Sequence, residues 1–161
     1  MKYFEYDLWM DTNNEIDSKR QAALEIWEER ARLYVEEYLE AKKYLSKAFI
    51  KAYEGNFGFR GCYLSGLLLS GADRKGVLTC KLLLSDLVDS WQLTYSGLEA
   101  LNYHPAKEEG PFALPSGYMT LEFSELLIVN EEKLSHEFLF SNGSTLLVHF
   151  LRVTVKKINQ P

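Results

Sequence analysis

The sequence predicts an α+β fold, in which a long N-terminal helix packs on a curved antiparallel sheet of about six strands. The first observation is helical periodicity, since apolar residues recur at steps of three and four from Leu24 to Tyr53. The second is a change of period after Gly55, where short runs alternate apolar and polar residues as half-buried strands do. We therefore expect a single domain over residues 1–161, with 1–55 as a helical arm and 56–161 as the sheet.

The helix is expected to begin after the polar turn at residues 11–14, where Asp17 or Ser18 can cap a free backbone amide. Residues 3–9 precede this turn and are rich in aromatic side chains. They are predicted to form a short strand or a docked extended segment. Gly55 is expected to end the helical region, because glycine readily adopts the left-handed conformation found at helix ends.

A second capping residue, Ser46, indicates that the long helix is broken near Leu45. The apolar seam of the helix also suits a coiled-coil homodimer. It carries Ala and Tyr, however, where zippers prefer Leu, Ile or Val. Packing on the chain's own sheet is therefore favoured over a homodimer.

Short alternating runs between turn residues predict the strands. The turn Asn142-Gly143 suits a two-residue type I′ hairpin. A change of alternation between Phe150 and Leu151 predicts a bulge or bend. The prolines and glycines of residues 102–117 predict a long loop. The strands are expected at residues 63–69, 77–85, 91–96 continuing to 98–101, 120–129, 134–141 and 144–156.

Charge and composition exclude several classes of partner. The net charge of -5 disfavours nucleic acid, whose binding depends on Lys and Arg, and it disfavours an anionic membrane surface. Acidic residues near the start do not fit a signal peptide, and the longest apolar runs are too short to cross a bilayer. A cytoplasmic location is therefore expected.

Cys62 and Cys80 lie in or beside predicted strands without metal-binding spacing, and are expected to be buried free thiols.

No motif has the spacing that catalysis, phosphate binding or a metal cofactor requires, so a non-enzymatic protein without a cofactor is expected. The glycines of residues 55–61 lie beside Arg60, but they match neither a P-loop nor a dinucleotide-binding fingerprint. They are interpreted as a helix-to-strand connector. The serines of the predicted strands lie in no nucleophile-elbow context.

Two histidines raise the question of a metal site. A two-residue hairpin turn would place His136 opposite His149, close enough for both imidazoles to bind one metal ion or to titrate together. A three-residue loop with a bulge would shift the register and separate them. A catalytic zinc ion normally takes three protein ligands, so no metal is expected, and a metal-binding protein using this pair is kept as an alternative.

Three stretches of the chain resemble a family of uncharacterised bacterial proteins known only as a domain of unknown function. The resemblance covers about a third of the chain and lies in structural motifs. It implies a bacterial protein, and it implies no activity because the family has none assigned. The similar segments are Met1-Lys2-Tyr3-Phe4 with Asp7-Leu8-Trp9, residues 44–53 with Gly58-Phe59, and residues 134–143. Arg60-Gly61 departs from the family's pattern after Gly-Phe.

The function favoured by these observations is a non-enzymatic module that binds another protein, such as an inhibitor or an immunity-type partner of a toxin. The chain is small, acidic, rich in aromatic residues and without catalytic motifs. Its edge strands and the 102–117 loop suit pairing with an extended segment of a partner. Within that loop, His104, Phe112 and Leu114 are the candidate binding residues.

Small-molecule binding is the other alternative, because an apolar cleft between helix and sheet is a common ligand site. The residues expected to line it are Trp91, Tyr95, Tyr38 and Phe138.

Overall fold

The computed structural model describes residues 1–71, 76–106 and 119–158. Three helices come first: α1 (Tyr6–Thr12), α2 (Asp17–Lys42) and α3 (Lys47–Gly55), followed by a short helical turn at Phe57–Phe59. Eight strands follow in the described residues. They are β1 (Tyr63–Ser70), β2 (Thr79–Ser85), β3 (Ser90–Ser96), β4 (Ala100–His104), β5 (Leu121–Asn130), β6 (Lys133–Phe140), β7 (Thr145–Phe150) and β8 (Arg152–Ile158).

The break in the long helix is confirmed. α2 ends at Lys42 and α3 begins at Lys47, and the Ser46 side chain caps α3 by accepting a hydrogen bond from the Phe49 amide at 3.2 Å. The predicted caps of α2 are wrong, because its N-cap residue is Ile16 and makes no side-chain capping bond.

The helix nearest the start of the chain is α1, which has only seven residues. The prediction of a strand or extended segment at residues 3–9 is therefore wrong from Tyr6 onward. Helical spacing places Tyr6 and Trp9 on the same side of α1, with ring centroids 5.8 Å apart. Trp9 reaches Phe123 of β5, with ring centroids 6.0 Å apart. This tertiary contact explains why an aromatic-rich segment forms a helix here.

The strands form two antiparallel sheets of four strands, instead of one sheet of about six. The first sheet has the order β1-β2-β3-β8 and the second has the order β4-β7-β6-β5. Consecutive strands β3 and β4 belong to different sheets, as do β7 and β8. The predicted six-stranded sheet is wrong because each of these two pairs was expected to be one continuous strand.

Both changes of sheet occur at one corner, formed by Gly97 and Leu151. The Leu151 amide donates to the Ser96 carbonyl at 3.1 Å, and the Glu99 amide donates to the His149 carbonyl at 3.0 Å. The two chain segments therefore stay paired while both pass from one sheet to the other. The predicted change of phase between Phe150 and Leu151 is confirmed as this bend, which separates β7 from β8.

Substituting Gly97 by alanine is expected to destabilise the fold by about 2–4 kcal/mol. Gly97 has a φ of +67°, and a Cβ atom there would lie 2.6 Å from Cγ of Leu151. The measurement is the free energy of unfolding in urea. Gly55→Ala is the matched control, because a Cβ at Gly55 meets no atom within 4 Å. Equal stability of the two variants would show that the corner does not depend on Gly97.

One hydrophobic core lies between the two sheets, and α3 contributes Phe49 and Tyr53 to it. The opposite face of the second sheet is also covered. There Phe123 of β5 is surrounded by rings of Phe4, Trp9 and Trp27, at centroid distances of 5.5, 6.0 and 4.8 Å. Because both faces of β6 are covered, most of its residues are buried.

Candidate functional site

His136 lies on β6 and is fully buried between the two sheets. Its Nδ1 atom is 2.8 Å from the hydroxyl of Tyr95, which lies on β3 of the other sheet and is also fully buried. This hydrogen bond therefore links the sheets through the core. Among the described residues, Nε2 of His136 has no hydrogen-bond partner.

An aromatic shell surrounds the His136 imidazole. Ring centroids of Phe138, Tyr53 and Phe49 lie 4.0, 5.6 and 6.4 Å from its own, and that of Tyr95 lies at 6.0 Å. Burial among these rings lowers the pKa of His136 from 6.5 to about 3, because an imidazolium would lose its hydration there. The side chain is therefore neutral at physiological pH. It acts as a hydrogen-bonding core residue rather than as a charged one.

His149 does not meet His136. In the observed register, His136 is opposite Val148 and His149 is opposite Ser135, so the two imidazoles lie on different faces of the sheet. The cause is the turn. The Phe140 amide donates to the Ser144 carbonyl at 3.0 Å, which leaves three residues in the loop, and Gly143 adopts a φ of +81°. The two-residue turn is therefore wrong, and the three-residue alternative is the one that forms.

The other histidine, cysteine and acidic side chains of the described residues give no metal site and no activated thiol. Within residues 1–71, 76–106 and 119–158, no three His, Cys, Asp or Glu side chains are grouped so that they could hold a metal ion. Cys62 and Cys80 are buried free thiols, as predicted. Burial raises the pKa of each thiol to about 11, so neither is an activated thiolate at physiological pH.

The remaining candidate residues are dispersed. His104 is exposed at the end of β4, so the expectation of a loop is wrong for residues 102–104. Phe112 and Leu114 lie outside the described residues, as does most of the predicted loop. Tyr95 and Phe138 are core residues, whereas Trp91 is half-buried beside Phe59, with ring centroids 5.7 Å apart.

Glu125 is a polar residue that the sequence analysis did not single out. It lies on β5 with no exposed surface, on the face of the sheet that α2 covers. Its carboxylate accepts hydrogen bonds from the backbone amides of Lys2, Tyr3 and Phe4 at 2.9, 2.7 and 2.7 Å. Glu125 therefore docks the N-terminal segment onto the sheet. The available signal was a glutamate directly before the apolar run Leu126-Leu127-Ile128-Val129.

Among the described residues, the large apolar side chains with the greatest exposure are on two turns. Phe57 is 87% exposed, and Leu87 and Val88 are 96% and 80% exposed. We call these three residues the apolar tip. Its two turns lie at the same end of the first sheet, because Tyr63, near the first turn, pairs with Ser85, which precedes the second.

Both turns of the apolar tip have defined conformations. In the first, Phe57, Gly58 and Phe59 have consecutive φ values of 49°, 69° and 65°, and the side chain of Phe59 anchors the turn in the core. In the second, the Asp86 carboxylate accepts hydrogen bonds from the amides of Val88 and Asp89 at 2.7 and 2.6 Å. A left-handed conformation is unfavourable for two phenylalanines, so the surrounding structure must hold it.

The chain matches no model of a known protein family, and it matches no curated protein sequence. The described helices include none that has the length and apolar character needed to cross a membrane. The fold defines an α+β protein with two antiparallel sheets. The resemblance to an uncharacterised bacterial family stays a prediction.

Proposed function

We propose that this protein is a non-enzymatic module that binds another protein through the apolar tip. The observation that carries the proposal is the exposure of Phe57, Leu87 and Val88, each at 80% or more, on turns of defined conformation. Apolar side chains held at a turn cost little conformational entropy on binding, because the turn is already ordered. Their burial in a partner would then contribute to affinity without the cost of ordering the backbone of the turn.

The charges near the apolar tip indicate the chemistry of the partner. Asp86 and Asp89 flank Leu87 and Val88, and the whole chain has a net charge of -5. Lys157 lies 2.7 Å from Asp89 and pairs with it. Because Lys157 balances Asp89 and backbone amides engage Asp86, recognition falls on the apolar side chains, and the partner that fits is a protein with an apolar pocket. An inhibitor or immunity-type role suits this geometry, because two ordered turns can fill such a pocket.

Substituting Leu87 by lysine is expected to weaken binding of the partner at least about tenfold while the fold is kept. Leu87 is 96% exposed, so the change removes apolar contact area without disturbing the core. The tagged wild-type protein and the variant are used to capture proteins from a native cell lysate, and the retained proteins are identified by mass spectrometry. We expect one stoichiometric partner with the wild type and at least about tenfold less of it with the variant.

The control for this experiment is Leu68→Lys, which makes the same chemical change on β1, away from the apolar tip. It should retain the partner as the wild type does. Capture of the same partner by Leu87→Lys at the wild-type level would rule out the apolar tip as the binding surface. Capture of no partner by the wild type, repeated at low salt, would argue against the proposed function itself.

A further inference from the structure

Strand β8 lies at one edge of the first sheet, and its two faces differ. Val153 and Val155 contact the core. Alternation therefore places Arg152, Thr154 and Lys156 on the outer face of the sheet, and all three side chains are exposed. The cross-strand register continues this outer face over the neighbouring strands. Its members there are Ser96, Thr94 and Gln92 of β3 and Thr79, Lys81 and Leu83 of β2.

The outer face carries a positive charge that no acidic side chain of the sheet balances. Within residues 1–71, 76–106 and 119–158, none of Lys81, Arg152 and Lys156 has an ion-pair partner. The four strands of the first sheet contain no Asp or Glu. Strand dimensions separate the three cationic residues by about 12–13 Å, so one partner can contact all of them.

Unpaired cations are unusual on the rest of the described surface. The whole chain has a net charge of -5, and on α2 the side chains of Arg20 and Arg32 pair with acidic neighbours. Apart from the outer face, the described Lys and Arg side chains without an ion pair are Lys19 of α2 and Lys47 and Lys51 of α3. Because α3 packs against β8, it adds exposed cations beside that edge of the sheet.

We propose that the outer face of the first sheet is a docking surface for an acidic segment of another protein. Charge complementarity favours this partner, because the three cations give up no existing ion pair when carboxylates approach them. The hydroxyls of Thr94, Thr154 and Ser96 lie among the cations and can donate hydrogen bonds to the same carboxylates. This docking surface is separate from the apolar tip and does not depend on the proposed function.

Nucleic acid fits the outer face less well than an acidic protein segment does. Strands β2, β3 and β8 place no aromatic side chain on this face, since Trp91 and Tyr95 share the core side of β3 with Leu93. Unpaired bases would therefore find no ring on which to stack. Duplex binding depends on neutralising many phosphates, and the outer face has few cations on a chain of net charge -5.

Titration of the isotope-labelled full chain with a short poly-L-glutamate peptide at low salt, followed by NMR, tests the proposal. We expect saturable binding, with amide shifts concentrated in β3 and β8. Lys156→Glu should raise the dissociation constant at least about tenfold. Lys19→Glu is the matched control, because it reverses an exposed unpaired cation on α2 and gives the same net charge. It should bind the peptide much as the wild type does, and circular dichroism checks that both variants are folded.

Single-stranded and duplex DNA are the competing probes in the same titration. Binding of either DNA more tightly than the peptide would overturn the proposal, as would the absence of saturable peptide binding. Equal losses of affinity in Lys156→Glu and Lys19→Glu would also overturn it, because the peptide would then respond to net charge and not to the outer face. Self-association of the wild type that Lys156→Glu removes would assign the face to a second copy of this chain instead.

Discussion

Replacing both members of the buried Tyr95–His136 pair with phenylalanine is expected to make the protein markedly more resistant to acid. The folded protein keeps His136 neutral down to a pKa of about 3, whereas the unfolded chain binds the same proton near pH 6.5. Between these pH values the unfolded state binds more protons, so the stability of the wild type falls as the pH falls. Above pH 6.5 both states are neutral at this position, and it contributes no pH dependence.

The expected slope is about 1.4 kcal/mol of unfolding free energy per pH unit. The double variant Tyr95→Phe, His136→Phe lacks the titrating group and should lose that part of the slope. Urea unfolding at several pH values between 4 and 7 measures it. Hydrogen bonds from Lys2 and Lys42 lower the pKa values of Glu37 and Glu54, and these carboxylates are present in both proteins, so their contribution cancels in the difference.

The single variants provide the control for this prediction. Tyr95→Phe removes the one observed partner of His136, and His136→Phe removes the partner of the Tyr95 hydroxyl. Each is expected to cost about 1–3 kcal/mol at neutral pH, because a buried polar group loses its partner. The double variant should be closer to the wild type than the two losses combined. Parallel pH profiles for the wild type and the double variant would contradict the burial of a neutral histidine.

Substituting Glu125 by leucine is the second change for which we expect a large effect. The buried amides of Tyr3 and Phe4, and the adjoining amide of Lys2, would lose their acceptor together. We expect the free energy of unfolding to fall by about 3–5 kcal/mol. The loss is not larger because the N-terminal segment can detach from the sheet, so that its amides bind water. Undocking would also expose Tyr3 and Phe4, which are 7% and 8% exposed in the folded protein.

Hydrogen exchange of the Lys2, Tyr3 and Phe4 amides separates undocking from general destabilisation. In Glu125→Leu these amides should exchange much faster, while the amides of β2 and β3 stay protected. Glu131→Leu is the matched control, since Glu131 is exposed in the turn between β5 and β6. Unchanged protection of residues 2–4 in Glu125→Leu would show that other contacts hold this segment.

Local sequence features determined much of the secondary structure. The break between α2 and α3 was predictable because Ser46 can cap a helix by itself, with the Phe49 amide three residues away. The bend at Leu151 was predictable because the alternation of apolar residues changes phase there. Most of the strands were predictable for the same reason, since the period of the pattern depends only on neighbouring residues.

The candidate functional residues were less predictable, because their roles depend on surroundings that are distant in sequence. In the sequence, His136 cannot be told apart from any other histidine in a strand. Its buried environment includes Tyr95, which is 41 residues away. His136 and His149 lie on different faces of the sheet because the hairpin loop has three residues and not two. The dipeptide Asn142-Gly143 does not by itself specify which of these two loop lengths forms. The exposure of Phe57 could also not be predicted, because a sequence rich in aromatic residues does not show which of them are buried.

The sequence by itself therefore determined the α+β class, the broken helix and the antiparallel strands, because each depends on hydrophobic period and capping within a few residues. The tertiary structure decided the division into two sheets at Gly97 and Leu151, since a strand that changes sheet keeps its local pattern. It also decided that residues 6–12 form a helix, because Trp9 of that helix packs on Phe123 of β5, a contact between residues that are distant in sequence.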